Sequence, residues 1–258
     1  MPTLRNNFLG TPGVTLSTTN TGGEGNAFDL INAAGTSGTV IAFASASALN
    51  RQTAESVMSY STANTSSAPS AIWTTSLGTQ SEVWVRFYVM TTAVPSAQSS
   101  LGPPYWFHLA YNSAPLVSVG AQDVSPYVPL VVTYAAQGGE AQHAMSGSAV
   151  PTNQWMRFEL HARTTSTGGV VEAEYYAPAV SDDTTPTTTA TINLNFPENA
   201  VDMYMVGQGI SRKNIDTTYI SGFAIGTDGW FGPAPFRLGK GAPNMNLTNP
   251  VATHQHTW

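Results

Sequence analysis

The chain has 258 residues, no cysteine, and only 9% Asp, Glu, Lys and Arg, against about a quarter in ordinary globular domains. Disulfides, thiolate metal centres and thiol nucleophiles are excluded. With 41% hydrophobic and 10% aromatic residues it is not a disordered composition, and a formal net charge of −6 gives no reason to expect nucleic acid or an anionic membrane as partner.

The opening residues, Met1 to Arg5, carry no apolar run behind a basic stretch, so no signal peptide is expected. If the protein works outside a cell, it is expected to leave by some other route, such as assembly into a particle. No stretch reaches the length of a membrane span.

Short apolar-alternating runs separated by Gly, Pro, Ser and Thr clusters replace any long helical period. That pattern predicts an all-β protein, a two-sheet antiparallel jelly-roll sandwich. Candidate strands with less alternation lie at Ala27 to Ile31, Thr39 to Ala44 and Ser56 to Tyr60. The clearest strand runs from Glu82 to Met90, with Val83, Val85, Phe87 and Val89 inward and Glu82, Trp84, Arg86 and Tyr88 outward. From Tyr105 to Tyr111, the odd-numbered residues are expected inward, and Trp106 and His108 outward. Further candidates come at Leu116 to Val119 and Leu130 to Tyr134.

From Trp155 to Arg163, Met156, Phe158, Leu160 and Ala162 are expected inward. Trp155, Arg157, Glu159, His161 and Arg163 are expected outward. Val171, Ala173, Tyr175 and Ala177 form the next inward set. The turn-rich Thr164 to Gly169 joins these two strands. Facing residues must share a sheet face, so paired numbers must sum to an odd number. The predicted register sets Arg163 opposite Val170, His161 opposite Glu172 and Glu159 opposite Glu174. Later runs place Ile192, Leu194 and Phe196 on one face, then Val201, Met203 and Met205, then Phe223 and Ile225. Residues 1–233 read as one sandwich, and residues 234–258 as an irregular tail that packs on the domain or on a neighbouring subunit.

Four segments share a resemblance. They are Asn26-Ala27-Phe28-Asp29 after the Thr15 to Gly23 stretch, Glu82 to Tyr88, Trp155 to Leu160, and Gly226-Thr227-Asp228-Gly229-Trp230-Phe231-Gly232-Pro233. In this order they resemble the concanavalin A-like (laminin-G-like) sandwich of actinobacteriophage minor tail and related virion proteins. The resemblance covers roughly residues 8–233. It implies a jelly roll with a curved, often glycan-binding face, and no shared catalytic set.

Candidate site residues come from the outward faces. Trp84, Trp106 and Trp155 sit on polar sides of strands, where indoles stack on sugars or meet partners. His108, Arg157, Glu159, His161, Glu172 and Glu174 complete the expected glycan- or partner-binding set. Glu172 and Glu174 lie two apart on one strand, as glycosidase carboxylates can, but the segment lacks the central Asp of the concanavalin A-like glucanases. It reads instead as a charge-laced solvated face offset by Arg157, His161 and Arg163.

His254-x-His256 supplies only two ligands, and Asp182, Asp183 and Asp228 match no calcium loop. No metal and no cofactor is expected. The resulting expectation is a non-enzymatic structural component of a phage virion, a minor tail protein present in several copies. It would contact other virion proteins and host cell-wall glycan, with neither nucleic acid nor membrane as partner. Three alternatives stay open: a head decoration protein, a free carbohydrate-binding module, and a glycoside hydrolase using Glu172 and Glu174.

Overall fold

Strands that alternate apolar and polar residues must pair their backbone groups in ladders and bury one face. In the computed structural model the described residues are 3–8, 10–20, 25–32, 41–46, 55–61, 70–93, 103–122, 127–136, 139–179, 184–207 and 217–234. Among them there is no helix, and the strands form two antiparallel sheets, a jelly-roll sandwich.

In chain order the strands are β1 (Thr3–Asn6), β2 (Leu30–Asn32), β3 (Ala42–Ala46), β4 (Glu55–Ser61), β5 (Ser70–Trp73), β6 (Glu82–Thr91), β7 (Tyr105–Tyr111) and β8 (Ala114–Ala121). They continue as β9 (Pro129–Ala135), β10 (Gly139–Ala144), β11 (Met156–Arg163), β12 (Gly169–Tyr176), β13 (Thr188–Leu194), β14 (Met203–Gly207) and β15 (Thr217–Gly226). The first sheet has eight strands, ordered β13-β12-β11-β6-β15-β4-β3, with β1 also on β15. The second has seven, ordered β10-β9-β8-β7-β14-β5-β2.

Between the sheets an unbroken run of aromatic rings forms the core. It passes from Phe8 to Phe28, Trp73, Phe223, Phe107, Phe87, Phe158 and Tyr175, with neighbouring centroids 4.6–5.8 Å apart. Offset stacking and tilted packing at these distances add to the burial of the rings themselves. Val83, Val85, Phe87 and Val89 of β6 point into this core, as do Met156, Phe158, Leu160 and Ala162 of β11. So do Val171, Ala173 and Tyr175 of β12 and Phe223 and Ile225 of β15. The β11–β12 register pairs Arg163 with Val170, His161 with Glu172 and Glu159 with Glu174, the register expected from the sequence, with every pair obeying the parity rule.

Two strands depart from the sequence expectation. On β7 the pairing with β8 shifts between Tyr105 and Phe107. The extra residue of this bulge turns Trp106 into the core beside Phe158, and Tyr105 out against Leu130 and Val132. The outward placement of Trp106 is therefore corrected. On β14 it is Tyr204 and Val206 that enter the core, while Met203 and Met205 pack with Ile72 and Ala110 on the other side. The inward Tyr204 is anchored by its hydroxyl, whose single proton is shared between the Gly78 and Val201 carbonyls at 2.8 and 3.0 Å. The expected tail after residue 234, with His254 and His256, and the Asp182-Asp183 pair lie outside the described residues.

Candidate functional site

The outer face of the eight-stranded sheet carries most of the predicted residues, and the registers arrange them in rows. One row runs Gly226, Trp84, His161, Glu172, Thr191 across β15, β6, β11, β12 and β13. The next runs Arg5, Ala224, Arg86, Glu159, Glu174, Thr189, starting from β1. A third runs Ser221, Tyr88, Arg157, Tyr176.

In the first row Trp84 lies flat on the His161 ring, with centroids 4.5 Å apart and an interplanar angle of 8°. His161 is gripped on both nitrogens: Nδ1 lies 2.7 Å from Glu172 Oε2 and Nε2 lies 2.9 Å from Glu82 Oε1. Carboxylate oxygens only accept, so both contacts are hydrogen bonds when the ring carries both protons. The imidazole is nearly buried, but the Glu82 and Glu172 side chains are 41% and 39% exposed. Trp84 is half-buried. On its other flank the row continues to Gly226, which has no side chain to cover the indole.

The third row and the middle of the second, Ala224, Arg86 and Glu159, are sealed. After β15 the chain turns back over the face as a strap, residues 227–234. Glu159 Oε2 accepts the Gly232 N–H at 2.9 Å, and Arg86 Nη1 donates to the Gly232 carbonyl at 3.1 Å. The Tyr88 hydroxyl accepts the Ala234 N–H at 2.8 Å. Phe231 lies 5.8 Å from the guanidinium carbons of both Arg5 and Arg86, within cation–π range. Beneath the strap Arg157 Nε sits 3.0 Å from Glu159 Oε1, and its guanidinium stacks 3.6 Å from the Tyr176 ring centroid. Tyr176 donates its hydroxyl to Glu174 Oε2 at 2.6 Å.

Burial governs the electrostatics here. It pulls the Arg86 guanidinium down from its ordinary value, against the opposing pull of Tyr88 and Glu159. It pushes the Glu159 carboxyl up, only partly offset by Arg157, the Gly232 N–H and Arg86. For Arg157 burial acts downward, but Glu159, Tyr88 and Tyr176 together carry it up. Burial, with the bond to Glu174, raises the Tyr176 phenol, which stays a donor.

The expected site is thus divided. Trp84, His161, Glu172 and Glu174 come together at the open end. Arg157 and Glu159 are on the predicted face but buried under the strap, as internal partners of one another. Trp155 is also on this face, and Tyr88, Met90 and Ala179 cover it to 6% exposure. Trp106 is in the core. His108 lies on the outer side of the seven-stranded sheet, fully buried, with Nδ1 2.7 Å from the Ser118 hydroxyl. An outward parity therefore did not mean exposure for Trp155, Arg157, Glu159 or His108.

Glu82, Arg86 and Tyr88 share the parity of Trp84, so the signal for them was present on β6. Tyr176 likewise shares the face of Glu174 through its pairing with Arg157. Trp230, whose ring meets His161 edge-on at 6.3 Å and 71°, sits in a turn where no alternation speaks. Among the described residues no group of three or more His, Asp or Glu is placed to hold a metal ion.

No protein-family model and no curated protein matches the chain. Solved structures do. A carbohydrate esterase from the Shiga toxin-encoding bacteriophage phi24B is 11% identical with a TM-score of 0.48, over 73% of this chain and 87% of that one. An alginate lyase from Chlorella virus is 8% identical with a TM-score of 0.42, over 77% and 89%. The binding domain of Paraclostridial Mosquitocidal Protein 1 is 10% identical with a TM-score of 0.44, over 67% and 40%. The expectation that the chain is not an enzyme is corrected by this set, because a carbohydrate esterase and several alginate lyases stand among the similar structures. The sandwich is no ground for setting catalysis aside.

Proposed function

We propose that this chain is a carbohydrate-binding jelly roll of a phage particle, with the glycan seated at the open end of the eight-stranded sheet on Trp84. One observation carries the reading. An indole left half-exposed is held rigid by a histidine that two glutamates grip from opposite sides. Core packing does not require such a clamp at the surface. A sugar-stacking platform does, because order fixed in advance lowers the entropic cost of binding.

The finer placement, a minor tail protein in several copies beside other virion proteins, is supported by the sequence resemblance. Repetition in a particle would make weak glycan contacts effective through avidity. A glycan array with the full chain and with Trp84→Ala tests the first part. Binding that Trp84→Ala abolishes is expected, and an array on which the two behave alike refutes it. Mass spectrometry of purified particles tests the second, and absence of the chain there refutes the placement.

A second reading is that the bound glycan is also cut. It is favoured by the position of Glu172 and Glu174 on one face beside the platform, Glu174 with a phenol 2.6 Å away. Release of new chain ends from a bound glycan, lost in Glu174→Gln with binding kept, is the expected result. No release by the wild-type chain overturns it.

A further inference from the structure

The open end of the sheet has a second wall. Trp230 stands four residues beyond the end of β15 and is carried back over the face by the turn at Thr227 to Gly229. The segment after Trp230 is bolted down. Glu159 and Arg86 hold the two sides of the Gly232 backbone, Tyr88 holds Ala234, and Phe231 lies against Arg5 and Arg86. Trp230 nevertheless remains half-exposed. Its ring meets His161 at 71°, whereas Trp84 lies within 8° of the same imidazole. Two indoles therefore flank one histidine at close to a right angle, one as a floor and one as a wall.

Carboxylates outnumber cationic groups around this corner, with the His161 ring set between two of them. Glu82 and Glu172 flank His161 with exposed side chains, and Glu174 lies in the adjacent row. The arginines of the face have other partners, and Arg5 stays exposed at the far edge of the second row, over Phe231. Arg86 is buried on the Gly222 and Gly232 carbonyls, Arg157 is buried against Glu159 and Tyr176, and Arg163 donates to the Gly168 carbonyl. Asp228 is exposed in the turn before Trp230. A ligand carboxylate at the corner would meet like charge, while a hydroxyl-bearing or amine-bearing ring would not.

We propose that Trp230 forms the second wall of the glycan site, and that the site takes a sugar unit without a carboxylate, uncharged or amine-bearing, and disfavours uronate. This rests on the reading of Trp84 as a glycan platform and adds to it a residue and a selectivity. The anchoring of the strap by buried charges then acquires a purpose, which is to fix Trp230 at the corner.

The test is calorimetric titration at low salt with three probes of equal length: a neutral glucan oligosaccharide, a deacetylated chito-oligosaccharide and an oligouronate. The wild-type chain, Trp84→Ala and Trp230→Ala are compared, with melting temperatures taken in parallel. At least one of the first two probes is expected to bind about tenfold or more tighter than the uronate, a gap that narrows as salt rises. Trp230→Ala is expected to weaken that binding about tenfold with its melting temperature unchanged. The proposal is overturned by equal or tighter uronate binding, or by a Trp230→Ala variant that binds like wild type while Trp84→Ala does not. If Trp84→Ala binds every probe as wild type does, or no probe binds, the platform reading itself falls and this inference with it.

Discussion

The Glu159 carboxylate accepts the backbone N–H of Gly232 at 2.9 Å, joining the middle of the eight-stranded sheet to a strap 73 residues later in the chain. The same carboxylate pairs with Arg157 at 3.0 Å, both side chains being almost wholly buried. An outward-facing strand position thus became an interior one, because the chain folded back over it.

Removing one member of that pair leaves a charge buried without its partner, with Arg86 close by to repel it. Glu159→Ala should cost about 3–5 kcal/mol of unfolding free energy, and limited proteolysis should begin to cut within residues 227–234. Urea denaturation measures the first effect. A loss below about 0.5 kcal/mol, the scale of an ordinary surface change, would show that the pair does not hold the strap.

His161 fixes Trp84, so its removal should disturb binding more than folding. His161→Ala leaves Glu82 and Glu172 both half-exposed and able to hydrate, which limits the cost to about 1–2 kcal/mol. Glycan affinity should fall about tenfold through loss of the pre-set indole. Chemical denaturation and titration of the same sample check both halves. Unchanged affinity would rule out the clamp as the device that holds Trp84 ready.

The acid limb of stability should depend on Asp29. Burial raises this carboxyl, but the Ser76 hydroxyl and the N–H groups of Thr74, Ser76 and Thr75 together outweigh it and hold it below the ordinary 3.8. A folded-state value below the unfolded one means that stability is present above pH 3.8 and is lost as pH falls through the lower folded value. Asp29→Asn should flatten that part of a stability-against-pH curve. A variant whose acid limb matches wild type contradicts the assignment.

The bulge on β7 should be sensitive at Gly120, which pairs with Tyr105. A Cβ at Gly120 would collide with the carbonyl oxygen of Pro104, a backbone atom that cannot swing away. Gly120→Ala should cost about 1–3 kcal/mol, and the Trp106 fluorescence should shift to the red as its ring leaves the core. A neutral substitution would mean that the bulge does not depend on this close approach.

The parts of the fold that alternation reaches were legible in the residues. β6, β11 and β12 are regular, so parity gave their inward faces, and the register set across the Thr164 to Gly169 turn gave the pairing of His161 with Glu172. Parity failed on β7 and β14. The bulge at Trp106 reverses a face on the first, and on the second the anchored Tyr204 faces inward; neither has a signature in a single strand. The site was half legible for a related reason. Periodicity says which side of a strand a residue takes, and Trp84, His161, Glu172 and Glu174 obeyed it. It is silent on what later covers that side, so the sealing of Arg157 and Glu159 and the arrival of Trp230 were hidden in an irregular segment of the chain.

The central claim is that the open corner at Trp84 receives the glycan. Indole N–H resonances of the full chain, assigned by single Trp substitutions and monitored during glycan titration, test it most directly. Trp84 and Trp230 should shift with saturation while the core residues Trp73 and Trp106 stay still. Saturable binding that leaves the Trp84 signal unmoved would contradict it.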